Sequence, residues 1–140
     1  MTLFLWEWRC DQSFTTFFLS TLAEVDVVCR DVGEFLIRQN LAGQAFAVDL
    51  LLREFLNNAI IHGHVSDARK RVDVRVQVGR KWILLRIADQ GPGFAWWQKS
   101  RVPPDGTATG GRGLAIGAQY AERMQFNHAG NQVTLWIKKP

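Results

Sequence analysis

The sequence predicts an α+β fold, a two-layer α/β sandwich in which helices lie on one face of a mostly antiparallel sheet. Three observations carry this reading. Val72, Val74, Val76 and Val78 alternate with Asp73, Arg75 and Gln77, so this strand has one buried and one wet face, as antiparallel strands commonly do. Ile83, Leu85 and Ile87 alternate in KWILLRIAD just beyond Gly79 and Arg80, which predicts a hairpin with the valine strand. Leu22, Val25, Cys29, Val32 and Leu36 recur at three- and four-residue steps, the period of a buried helix face. Helices segregated to one side of such a sheet give the two-layer architecture.

The remaining elements follow in order. Residues 3–9 and 13–19, rich in Phe, Trp, Leu and Thr around the turn CDQ, predict two N-terminal strands. Thr21 with Glu24 three residues on predicts a capping box at the start of the first helix. Asn40 to Gly43 breaks the pattern. A second helix is expected from about Gln44 or Phe46 to His62, with Val48, Leu51, Leu52, Phe55, Ala59 and Ile60 inward and Gly63 ending it. Residues 95–109, with two prolines, a glycine and no clean period, form a connection long enough to serve as a lid. A third helix is expected from just after Gly113 to about Met124. A last hairpin then pairs Met124–His128 with Gln132–Lys138 across Ala129, Gly130 and Asn131.

At 140 residues the chain is read as a single domain able to bury a core without disulfides. The apolar fraction of 47% and charged fraction of 21% exclude disordered and fibrous classes. No apolar run approaches a membrane span, and the N-terminus lacks a basic leader and a small-residue cleavage site, so a cytoplasmic protein without a membrane role is expected. Cys10 and Cys29 have no CxxC or histidine pattern, which predicts reduced thiols. The charge of +4 is spread along the sequence, with 17 basic residues among 13 acidic ones, so no nucleic-acid partner is expected.

Three segments carry chemistry: EFLNNAIIH from Glu54 to His62, DQGPGF from Asp89 to Phe94, and GGRGL from Gly110 to Leu114. On a helix, Glu54 and Asn58 share a face, whereas Asn57 sits about 100° around it. The Asn58 amide oxygen suits Mg²⁺, which fills the rest of its shell from water and nucleotide phosphates. Glu54, one turn earlier, could take a proton from an attacking hydroxyl or water. Asp89 stands at the end of a strand, where a carboxylate can accept the exocyclic amine of adenine and reject the carbonyl of guanine. Gly91 and Gly93 around Pro92 make a stiff turn that backbone can approach closely. Gly110, Gly111 and Gly113 precede a helix whose free amides favour phosphate oxygens, and Arg112 could add a charge-assisted contact. No GxxxxGK[ST] occurs, so this is not a Walker P-loop.

With 31 positions from Asn58 to Asp89 and 22 from Asp89 to Gly111, these segments resemble the N box and two glycine boxes of the GHKL ATPases over about residues 20–140. The short length and the wording NNAIIHG and DQGPGF are most similar to the anti-sigma factor serine kinases of bacterial partner switching. The resemblance implies a Bergerat fold and binding of ATP with Mg²⁺. It also implies phosphorylation of a STAS-type anti-anti-sigma protein, sequestration of a sigma factor when that partner is unavailable, and a homodimer. It makes Glu54 the general base and Asn58 the Mg²⁺ ligand. Asp89 becomes the adenine reader, and His62, Gly91, Gly93 and the stretch Gly110, Gly111, Arg112, Gly113 and Leu114 become nucleotide contacts.

There are departures. Sigma-binding members carry an Arg early in the first long helix, whereas LAEVDVV holds none and Arg30 comes later. The lid holds Trp96 and Trp97, aromatics that could pack within it or meet a partner. Two other readings stay open: a non-catalytic ATP-binding interaction module, and the catalytic domain of a histidine kinase standing alone. The second has little to support it, since His62, His64 and His128 all fall within or beyond the N box.

Overall fold

The alternating apolar residues do what their period requires. In a computed structural model describing residues 13–63, 67–93, 117 and 119–140, they line the inner face of a five-stranded sheet. The strands are β1 (Ser13–Leu19), β2 (Arg71–Val78), β3 (Trp82–Ala88), β4 (Arg123–Phe126) and β5 (Gln132–Lys138), in spatial order β1-β2-β3-β5-β4. Each neighbouring pair is antiparallel, with Val76 opposite Leu85 and Leu85 opposite Leu135 fixing the register across the centre. The strand expected at 3–9, the lid at 95–109 with Trp96 and Trp97, and the glycine loop at 110–114 lie outside the described residues.

Helices α1 (Leu22–Arg38) and α2 (Ala45–Asn58) supply the second layer. Val25, Val28, Cys29, Val32, Phe35 and Leu36 of α1 join Val48, Leu51, Leu52, Phe55 and Leu56 of α2 and the inner strand residues in one core. Between the helices Asn40 adopts φ 59°, the left-handed conformation an Asn tolerates, and Leu41 N–H returns to Leu36 O at 2.8 Å to close the end of α1. Burial drives the Cys29 thiol up to about 11, partly offset by the nearby Arg53 charge, so it stays protonated and unreactive at neutral pH.

Five details differ from expectation. The capping box does not form: Thr21 N–H is already taken by Leu19 O at 2.7 Å, leaving Glu24 nothing to reach back to, and Thr21 makes no side-chain cap. Leu22, expected inward, is exposed, because it opens the helix before the first inward turn. The second helix runs as an α-helix only to Asn58 and continues to Gly63 as a π-helical turn. The third helix does not reach Met124. Residues 117, 119 and 120 are helical, but Glu122 N–H pairs with Trp136 O at 2.8 Å and strand β4 takes over at Arg123. Met124 still packs against the core, from a strand rather than a helix, and β4 ends at Phe126, short of His128.

Candidate functional site

Glu54 and Asn58 lie four apart near the C-terminal end of α2, both half-buried, while Phe55 and Ala59 turn into the core. Beside them Arg53 is pinned by Asp49, four residues earlier, at 2.9 Å and by Asp26 of α1. That bridge holds the two helices in register next to the Glu54 face. Asn58 is the last α-helical residue. The π turn Ala59–Gly63 that follows widens the helix by one residue and includes the backbone of His62.

Gly63 delivers the end of this turn against the segment after β3. A Cβ built on Gly63 would stand 2.9 Å from Asp89 Cγ and Oδ1, so the carboxylate lies directly over the glycine. A Cβ on Gly91 would stand 2.1 Å from Gly63 O, so there the two backbones touch with no room for a side chain. Gly93 has φ 80°, and a Cβ on it would collide with Ala129 O at 1.7 Å. Asp89 Oδ1 accepts the Gly91 N–H at 2.7 Å, fixing the carboxylate on its own turn. A carboxylate has about four acceptor sites, so holding its own turn is compatible with accepting a ligand amine.

The β4–β5 turn braces the arrangement. Asn131 O accepts the Asp89 N–H at 2.9 Å, and Asn131 Nδ2 donates to Gly91 O at 3.1 Å. Asn131 is held in turn by Asn127, whose Nδ2 donates to Asn131 Oδ1 at 2.7 Å. Asn127 Oδ1 accepts the N–H groups of Gly130 at 2.8 Å, Asn131 at 3.0 Å and Gln132 at 3.1 Å. Sequence reasoning read Gly63 as a helix terminator and NHAGN as an ordinary turn. The paired asparagines four apart were the available signal, since such side chains organise neighbouring amides. Asn127→Ala should therefore lower stability by about 1–3 kcal/mol, because three amides lose one acceptor. A urea titration would show the midpoint falling, and Asn127→Asp, which keeps the acceptor for the three amides but loses the donation to Asn131 Oδ1, should fall between Asn127→Ala and wild type.

The structure thus brings Asp89 and Gly91 against the end of the element bearing Glu54, Asn58 and His62, while Gly93 packs against the β4–β5 turn. Gly110, Gly111, Arg112, Gly113 and Leu114 lie outside the described residues. The junction is a close-packed cradle: two glycines let the helix end, the strand-end turn and the braced Asp89 carboxylate approach more closely than any Cβ would allow.

A two-layer sandwich with this junction of helix end and strand-end carboxylate has the architecture of a GHKL-type ATP-binding domain. The family model for the histidine kinase-like ATPase domain matches residues 18–137, and the chain belongs to that family. No curated protein gave a significant match to the chain. Among the described residues, no helix is long and apolar enough to cross a membrane.

Proposed function

We propose that this ATP-binding domain is a serine protein kinase of a partner switch, acting on a STAS-type anti-anti-sigma protein as a homodimer. The observation that carries the reading is the Glu54–Asn58 pair on one face of α2, four residues apart, one π turn from the Asp89 cradle. Asn58 would hold Mg²⁺ by its amide oxygen. Among the described residues no three His, Cys, Asp or Glu side chains gather into a metal site, so water and phosphate oxygens complete the shell in this scheme. When bound, Mg·ATP supplies the phosphoryl group and neutralises its charge.

Glu54 has the task of base. The substrate hydroxyl proton passes to its carboxylate, the serine oxygen bonds the transferred phosphorus, and the bond from that phosphorus to the departing ADP oxygen breaks. Asp89 holds adenine through the exocyclic amine.

The test is phosphotransfer from Mg·ATP to a STAS-domain protein of the same organism, with nucleotide binding followed separately. Glu54→Ala should bind nucleotide as wild type does and lose roughly 10²–10⁴-fold in transfer. Asn58→Ala should lose Mg·ATP binding itself. Unchanged transfer in Glu54→Ala would remove the base assignment. Wild-type binding without transfer to any STAS protein tested would favour a non-catalytic ATP-dependent interaction module.

A further inference from the structure

Strand alternation gathers on one surface the cations that the linear sequence scatters. The five strands carry Arg71, Arg75, Arg86, Arg123 and Lys138 against one acid, Asp73. Helices α1 and α2 carry Glu24, Asp26, Asp31, Glu34, Asp49 and Glu54 against three arginines. The two layers are therefore oppositely charged, and the wet face of the sheet is the basic one.

At its centre Arg75 and Arg86 stand directly opposite each other in the β2–β3 register, flanked across the sheet by Thr15 and Thr134. Like charges in directly opposed positions destabilise a sheet, so their retention calls for a compensating anion. The face does not supply one internally. Asp73 is engaged by Arg71 at 3.2 Å, Arg86 Nε reaches the Thr134 hydroxyl at 3.4 Å, and among the described residues exposed Arg75 has no carboxylate within ion-pair distance. Thr15, Arg71, Asp73, Arg75 and Arg86 line a shallow concavity of about 330 Å³. Among the described residues no element covers it.

The nature of the anion follows from the aromatics on the same face. Stacking platforms for single-stranded nucleic acid present bare ring faces. Here Arg71 lies over the Phe17 ring at 5.1 Å and Arg123 over Trp136 at 4.9 Å, so two of the three aromatic rings of this face already carry a guanidinium, and the third, half-buried Trp82, stands opposite Lys138. Carboxylates need no ring, and they engage a guanidinium fork through two parallel hydrogen bonds. We propose that the wet face of the sheet docks an acidic segment of a partner protein, whose carboxylates engage Arg75 and Arg86. This docking is independent of the nucleotide reading.

Fluorescence anisotropy of a labelled short polyglutamate peptide with the full chain tests it, beside a single-stranded oligonucleotide of equal charge. The peptide should bind saturably at low salt and weaken as salt rises. The pair Arg75→Gln with Arg86→Gln should bind it roughly tenfold or more weakly. Arg30→Gln with Arg38→Gln on α1 should leave it unchanged, and both pairs should bind ATP as wild type does. The first pair should also melt no lower than wild type, since a repulsion has been removed. Absence of saturable peptide binding, equal binding by the Arg75/Arg86 pair, or tighter binding of the oligonucleotide through the same two arginines would each overturn the proposal.

Discussion

Gly91→Ala is expected to cost both stability and nucleotide binding. Its Cβ would meet the Gly63 carbonyl oxygen at 2.1 Å, and neither backbone is free to yield. The Gly91 N–H is bound to Asp89 Oδ1, the Gly91 carbonyl accepts from Asn131, and the Asp89 N–H is tied to Asn131 O. Relieving the overlap means parting the end of the π turn from the strand-end turn, which separates the cradle from the Glu54 and Asn58 face. Overpacking of this kind typically costs about 1–3 kcal/mol. A lower urea midpoint with ATP affinity reduced roughly tenfold or more is the expected pair of results. Wild-type stability and affinity in this variant would mean that the two turns are not in contact.

Gly63→Ala should separate the two effects. No positive φ is required at this position, and the atoms a new Cβ would meet belong to the Asp89 carboxylate rather than to backbone, so the side chain can give way by releasing its bond from the Gly91 N–H. Alanine is the better helix former by about 1 kcal/mol, which offsets the loss of the Gly91 hydrogen bond, worth about 0.5–1.5 kcal/mol, so the net change in stability should be small. The displaced carboxylate, however, can no longer present itself to an adenine amine. A charged hydrogen bond is worth about 1.5–3 kcal/mol, so ATP affinity should fall roughly 10- to 150-fold while the urea midpoint holds. Calorimetry and denaturation on the same preparation check both halves, and intact ATP affinity would place the base elsewhere.

The strands β2, β3 and β5 were legible because their inner faces are purely Val, Ile and Leu, alternating with a polar outer face in β2 and a mixed one in β3 and β5. The two helices were legible from their apolar stripes. Helix ends were not. Local signals favoured a capping box at Thr21 and a helix reaching Met124, but neighbouring backbone captured the relevant amides first. Within the site, the roles of Glu54, Asn58 and Asp89 could be proposed from residue type and spacing. The contact of Gly63 with Asp89 and Gly91 could not, because it joins residues 26 and 28 positions apart through a π turn that carries no clear sequence mark. The basic sheet face was hidden for the same reason: dispersion along a chain becomes concentration when alternate residues share a surface.

The most direct measurement is a calorimetric titration of Mg·ATP and Mg·GTP into the wild-type chain and into Asp89→Ala. Saturable binding of ATP, much weaker binding of GTP, and loss of the ATP signal in Asp89→Ala is the expected result, since the braced carboxylate then reads the base. Equal binding of the two nucleotides, or an Asp89→Ala variant that binds ATP as tightly as wild type, would contradict the assignment of this cradle as the adenine site.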